Sequence, residues 1–175
     1  MGISLKKLEE YKLEDFELIA KWENHEDVKP FISVNGKEEE LADISGEFLM
    51  SKDKANKSKT IYFVIEDSKP IGVVSIIDKF PLLTYKDDKT AWISICIGET
   101  QNRGKGIGKE AMRLLENQCR ELGYETIELG VFSMNHRAIG LYKSLGYEEI
   151  CINTNTTYYD GKWYDDIRMQ KSIIK

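Results

Sequence analysis

Trp92-Ile-Ser-Ile-Cys-Ile-Gly98, then Glu99-Thr-Gln-Asn102, then Arg103-Gly-Lys-Gly-Ile-Gly108-Lys109, is an apolar, β-branched run that breaks into a glycine-rich turn. The run has the composition of a central strand. Beyond the turn, Ile107, Ala111, Leu114, Leu115, Cys119 and Leu122 keep the spacing of one helix face, and Gly123 is placed to close that helix in the left-handed conformation. A strand that feeds a helix through glycines leaves unpaired backbone N–H groups at the helix start, where the helix dipole is positive. Such a turn is an anion site, best suited to phosphate. Residue identity excludes two familiar phosphate loops. In the G-x-x-x-x-G-K-[ST] pattern, Arg103 stands in the first glycine's place and Glu110 in that of the magnesium-binding hydroxyl. In G-x-G-x-x-G, Gly104 and Gly106 are followed by Lys109 where the third glycine belongs. Taken alone, the glycines mean a tight turn that packs helix against strand.

Outward from this segment the chain alternates strand and helix. Thr126 to Phe132 reads as a strand and His136 to Leu145 as a helix with Ala138, Leu141, Tyr142 and Leu145 on one face and Gly146 as its stop. Both helices run into Leu-Gly-Tyr and turn into a strand, which is the pattern of an α/β sheet. Ile150 to Tyr159 and Lys162 to Ser172 flank Asp160-Gly161, a strong hairpin signal. Upstream, Ile61 to Glu66 and Ile71 to Asp78 flank Asp67-Ser68-Lys69-Pro70, a second hairpin. Nearer the start, Ile3 to Glu9 reads as a strand, and Leu13, Phe16, Ile19 and Ala20 as the face of an amphipathic helix. A second helix is expected from Glu38 to about Met50, with Leu41, Ile44, Phe48 and Leu49 inward, and Ser51 to Lys59 as a polar loop. Antiparallel hairpins at both ends of a strand–helix crossover give a mixed sheet. No linker or repeat divides residues 1–175, so they form one domain.

Composition removes several classes of function. With 175 residues, of which 41% are hydrophobic, the chain can bury a core without a metal or disulfide and is not a disordered sequence. Its longest apolar stretches, Ile61 to Ile65 and Ile71 to Ile77, fall far short of the roughly 20 residues of a membrane helix. A net charge of −5 argues against general nucleic-acid binding. Met1 to Lys7 lacks the parts of a secretion signal, and Lys6 stands where myristoylation wants Ser or Thr, so a cytoplasmic location is expected. Cys96, Cys119 and Cys151 lack paired spacing and suit reduced core thiols, and with His25 and His136 they make no zinc pattern, so no metal is expected.

Two motifs in order resemble those of the GNAT superfamily of acetyl-CoA-dependent N-acyltransferases. Its [QR]-x-x-G-x-[GA] pattern is matched by Arg103 to Gly108, and N-x-x-A-x-x-L-Y-x-x-x-G-[FY] by Asn135, Ala138, Leu141, Tyr142, Gly146 and Tyr147. The likeness is strong over about residues 60–150, and Asp160 to Met169 is similar to the last hairpin of the ribosomal-protein, polyamine and antibiotic acetyltransferases. It implies an α/β fold with a mixed central sheet of about six to seven strands and flanking helices. It also implies acetyl-CoA as cosubstrate, with the backbone N–H groups of Arg103, Gly104, Lys105, Gly106, Ile107, Gly108 and Lys109 around the pyrophosphate. Ile97 and Gly98 then bind the pantetheine and acetyl carbonyl, and Asn135 touches CoA. Lys105, Lys109 and Arg113 add positive charge, although Arg113 is better read as an exposed helix residue. Asn135 also suits an N-cap, and the two roles are compatible.

Periodicity alone puts Tyr142 in the core; the resemblance makes it the general acid. A phenol of pKa about 10 is a reasonable proton donor to a thiolate whose thiol lies near about 8.5. Direct attack of an amine on the thioester is then expected, with the oxyanion held by backbone N–H near Gly98. Cys96 ranks low as a nucleophile because nothing pairs it with a histidine. The acid that some members use as base corresponds here to Gly130, leaving Glu99 and Glu128 as weak candidates. The family's acceptor side is acidic in this chain, at Glu23, Glu26 and Asp27, at Glu38 to Glu40, and at Asp160, Asp165 and Asp166. That favours a cationic small-molecule or peptide amine such as a polyamine, an aminoglycoside or a peptide N-terminus. The alternative is a non-catalytic acyl-CoA-binding domain. An edge strand of the last hairpin offers a route to a homodimer.

Overall fold

A computed structural model describes residues 2–174. The strands are β1 (Ile3–Lys7), β2 (Lys59–Glu66), β3 (Lys69–Ile77), β4 (Thr90–Ile97), β5 (Thr126–Phe132), β6 (Glu148–Tyr159) and β7 (Lys162–Ser172). The helices are α1 (Leu13–Glu23), α2 (Lys29–Ile32), α3 (Gly46–Ala55), α4 (Ile107–Glu121) and α5 (His136–Ser144). The strands form one mixed seven-stranded sheet in the order β1-β2-β3-β4-β5-β7-β6. Every neighbouring pair is antiparallel except β4 and β5, which α4 connects in parallel.

Period-two alternation covers both faces of the sheet. Tyr62, Val64, Val74, Ile76 and Ile93 pack with Ala111, Met112 and Leu115 of α4, whereas Ile61 and Phe63 pack with Phe16, Trp22 and Leu49 from α1 and α3. Removing a side chain such as Phe16, fully buried, from water stabilises the fold by about 1.5–3 kcal/mol. Glycines end α4 and α5 in the same way. Gly123 (φ 87°) lets Tyr124 N–H reach the Cys119 carbonyl, and Gly146 (φ 87°) lets Tyr147 N–H reach that of Tyr142. The Asp160-Gly161 turn is as expected, whereas of the expected turn Asp67 to Pro70 only Asp67-Ser68 turns, Lys69 and Pro70 belonging to β3; all four turn residues have positive φ.

The expected second helix is displaced. Residues 38–45 are irregular, and helix α3 begins at Gly46 because the Ser45 side chain accepts from Phe48 N–H as an N-cap. Asn24 holds the preceding segment by a two-way pair of hydrogen bonds with the Ile44 backbone, a long-range contact that outweighs helix periodicity. Phe48, expected inward, is exposed. The helix continues through Ala55, where a loop was expected, and Lys59 donates to both oxygens of buried Asp53. Helix α2, one turn long, had no clear sequence signal. Among the described residues no helix is long and apolar enough to cross a membrane.

One feature of the sheet positions the site. Pairing of β4 with β5 stops at Trp92↔Glu128, while β5 stays paired with β7 as far as Phe132↔Asp166. The two parallel strands therefore part at their C-terminal ends, directly before the starts of α4 and α5.

Candidate active site

A cleft of about 1020 Å³ opens where β4 and β5 separate. Gly98 N–H donates to the Ile71 carbonyl at 2.9 Å, fixing which backbone groups of β4 face β3. By antiparallel alternation, the amide groups of Ile95 and Ile97 face the other way, toward the gap that β5 has left. Ile97 N–H is thus a donor without a ladder partner. The oxyanion donor was expected near Gly98; the N–H of Gly98 itself is committed to β3, which leaves that of Ile97. Its own constraint is steric, since a Cβ there would lie 2.1 Å from the Trp22 ring. Trp22 is held in turn by a 2.9 Å hydrogen bond from Nε1 to Glu99.

The glycine turn presents a row of donors. Arg103 N–H is already bonded to the Thr100 carbonyl, and the first donor of the helix is Glu110, to Gly106. Between them, the backbone N–H groups from Gly104 to Lys109 donate to no acceptor among the described residues. Gly104 (φ 78°) and Gly106 (φ 82°) curl the chain through this turn, and unpaired donors at a helix start suit an anion. The Arg103 side chain turns inward instead of reaching out as a charge. Its Nε and Nη2 donate to the carbonyls of Ile97 and Gly98, and Nη1 lies 3.8 Å from Asp27. Arg113 is an exposed helix residue near Glu110, as its spacing implied.

Of the anticipated residues, Ile97, Arg103, Gly104, Gly106, Gly108, Lys109, Asn135 and Tyr142 line this cleft, whereas Gly98, Lys105 and Ile107 do not. The Ile107 side chain is in the core beneath α4. Asn135 caps α5, its Oδ1 accepting from Ala138 N–H, and its Nδ2 stays available to the cleft. Arg137, two residues on, also lines the cleft, with Nη2 3.8 Å from the position of a Gly104 Cβ. Sequence reasoning missed it, although its place within the N-x-x-A motif was the available signal.

Tyr142 is buried at 7% exposure, its ring 5.9 Å from that of Tyr147, and its hydroxyl has no hydrogen-bond partner among the described residues. Burial pushes the phenol up to about 12, which keeps the hydroxyl protonated at neutral pH. Cys96 borders the cleft, but burial pushes its thiol up to about 12 as well, so it is a poor nucleophile.

Neither candidate base reaches the cleft. Glu99 is held by the hydrogen bond from Trp22, which lowers its carboxyl below the usual range. Glu128 is fully buried and accepts from the Thr84 N–H and hydroxyl, fixing the loop before β4. The acidic acceptor side is also thinner than the sequence implied. Of the acids named for it, only Asp27 and Asp166 line the cleft. Burial raises the Glu23 carboxyl, which faces Lys59 and Asp53; Asp165 accepts from Asn155 N–H, and Glu38 from Trp163. The remaining walls are largely apolar, with Phe31, Val34, Phe80, Leu82, Trp92 and Phe132 among them.

The model of the acetyltransferase (GNAT) family matches residues 9–147. Acetyltransferase PseH of Campylobacter jejuni (subsp. jejuni serotype O:23/36, strain 81-176) is 26% identical over 99% of this chain and 97% of its own length. An uncharacterized N-acetyltransferase of Bacillus subtilis (strain 168), YdgE, is 44% identical over 45 residues, which are 26% of this chain and 29% of the relative. Among solved structures, spermidine N-acetyltransferase from Vibrio cholerae in complex with CoA and spermine superposes with a TM-score of 0.76 at 19% identity, over 97% of this chain and 95% of that one. The structure of yncA from Salmonella typhimurium with its cofactor acetyl-CoA superposes at 0.73 and 18% identity, over 100% and 96%.

Proposed function

The chain belongs to the acetyltransferase (GNAT) family, with acetyl-CoA as its cosubstrate, and from that premise we propose that it transfers the acetyl group directly to a primary amine, with Tyr142 as the general acid. One observation carries the reading: a buried, protonated and partnerless Tyr142 hydroxyl opens into the same cleft as the unpaired donors of Gly104 to Lys109. The donors, with Lys109, Arg137 and Asn135 Nδ2 beside them, fit the pyrophosphate end of CoA. The acyl chain fits the gap between β4 and β5, where Ile97 N–H meets the oxyanion as the amine attacks. Tyr142 then gives its proton to the departing sulfur. A phenol near 12 does not hand over that proton early; it donates a strengthening hydrogen bond as negative charge grows on sulfur.

The charges away from the glycine turn narrow the acceptor. With Lys109 and Arg137 assigned to the pyrophosphate, Asp27 and Asp166 face Arg103 and Arg168, and Glu128, outside the cleft lining, lies 3.6 Å behind Arg168, so three acids meet two guanidiniums in that part of the site. The balance suits one ammonium on an apolar body, such as a peptide N-terminus, better than a polyamine or an aminoglycoside. Thiol release from acetyl-CoA, measured with separate pools of polyamines, aminoglycosides, amino acids and N-terminal peptides, tests this. Faster release with the single-amine pools is expected. No release from any pool, together with a rise in melting temperature on adding acetyl-CoA, would instead mark a CoA-binding domain without turnover.

A further inference from the structure

Gly130 leaves a vacancy that a side chain of the neighbouring strand fills. An added Cβ at Gly130 would lie 2.7 Å from Asp166 Oδ1 and 2.9 Å from the edge of the Trp92 ring. The register explains the approach. Gly130 is opposite Arg168 and Phe132 opposite Asp166, so Asp166 leans diagonally over the glycine on the cleft face of the sheet.

Asp166 is 7% exposed, and its two oxygens have different surroundings. Oδ2 accepts from Arg168 Nε at 2.6 Å and from Asn153 Nδ2 at 3.1 Å. Oδ1 accepts no hydrogen bond among the described residues, and the residue lines the cleft. Arg168 is shared: it lies over the Trp92 ring at 4.7 Å, donates to the Leu82 carbonyl at 3.0 Å and approaches Glu128 at 3.6 Å. Asp166 and Glu128 therefore share one guanidinium. Two carboxylates of the buried cluster thus face one guanidinium, and the one carboxylate oxygen without a hydrogen bond lies against Gly130, which lines the cleft. A buried charge without a counterion is costly, and an ammonium would complete this one.

Resting on the acetyl-transfer reading, we propose that Asp166 Oδ1 binds the acceptor's ammonium group and takes its proton, and that residue 130 is glycine to admit this carboxylate. The ammonium gives one proton to Oδ1, and the nitrogen lone pair so exposed forms the C–N bond to the thioester carbon. As the C–S bond breaks, Tyr142 protonates sulfur. The second proton lost by nitrogen restores the Tyr142 hydroxyl, and Asp166 passes its proton to water, so each turnover yields amide, free thiol and one proton. Arg168 is the positioning residue: by engaging Oδ2 it aims Oδ1.

Two variants test this, measured with the peptide or amine that the native protein acetylates fastest. Asp166→Asn keeps the shape and an acceptor for Arg168 but cannot take a proton. Its kcat/KM for the amine should fall at least 100-fold at pH 7, with KM for acetyl-CoA and its melting-temperature shift unchanged. Since such a variant uses only amine that is already neutral, its residual rate should climb about tenfold per pH unit up to the amine's own pKa, which a purely structural defect does not produce. Gly130→Ala keeps the charge but crowds Oδ1, and should lower the same parameter. Native-like kcat/KM in Asp166→Asn, or a loss accompanied by loss of the acetyl-CoA shift, would overturn the assignment. If the native protein acetylates no amine, the acetyl-transfer reading fails. Binding of n-butylammonium to the CoA-saturated protein, followed by ligand-observed NMR, then decides Asp166 separately: equal binding by native protein and Asp166→Asn would refute its role.

Discussion

The Tyr142 hydroxyl, the proposed general acid, is kept protonated by its surroundings. Burial raises its pKa to about 12, so the phenol holds its proton across the range in which an amine becomes a free base. At saturating substrates, kcat should accordingly show no falling alkaline limb below about pH 11; a limb with an apparent pKa near 9 or 10, absent from Tyr142→Phe, would contradict this. The same shift has a consequence for stability. The folded state holds the phenol's proton more tightly than the unfolded chain, whose pKa is about 10, so this group's contribution is complete below pH 10. It is lost as pH rises toward about 12, and the native protein should lose more stability over that interval than Tyr142→Phe does. Gly98 serves packing instead of chemistry. Gly98→Ala puts a Cβ 2.1 Å from the Trp22 ring, itself 3% exposed, and should cost about 1–3 kcal/mol, read as a melting point lower by several degrees.

Among the elements, the turn into α4 joins backbone conformation to ligand binding most closely. Gly104 and Gly106 both hold positive φ, which an alanine adopts at a cost of about 1–2 kcal/mol, and relief of that strain turns the N–H groups away from a common point. Gly106→Ala should therefore raise KM for acetyl-CoA roughly tenfold while kcat at saturation is retained; an unchanged KM would separate the donors from CoA binding. This element was legible in the sequence because its signals are local: a β-branched run, glycines, then helical spacing. The Leu-Gly-Tyr ends of α4 and α5 were legible for the same reason. Helix α3 was not, because the Asn24 contacts to Ile44 and the Ser45 cap set its start, and periodicity reports neither. Part of the cleft was hidden likewise. Asp166 reaches Gly130 only because β7 inserts between β5 and β6, a pairing that sets Asp166 opposite Phe132, 34 residues earlier, and that no local pattern encodes. Which backbone N–H near Gly98 is left free for the proposed oxyanion contact depends on which side of β4 faces β3, another product of the sheet.

At the scale of the molecule, one sheet carries a structural half and a working half. Strands β1 to β3 are antiparallel and packed on both faces, and their hairpin fixes β4. Strands β5 to β7 bring Phe132, Asp166 and Arg168 to the opposite wall of the cleft. Between the halves the hydrogen-bond ladder is interrupted, so a ligand seated there joins them. Acetyl-CoA at 100 times its Kd should stabilise the fold by about 2.7 kcal/mol, a rise of about 5–10 °C in Tm, whereas ATP, which has the phosphates but no acyl chain for the gap, should give much less. An equal rise with both would reduce the site to a phosphate cradle. The most direct test of the central claim is the steady-state kinetics of acetyl transfer by the native protein and Tyr142→Phe with the same amine. The account predicts a loss in kcat of about 100-fold or more with KM for acetyl-CoA and Tm nearly unchanged; a variant that transfers acetyl at the native rate would contradict it.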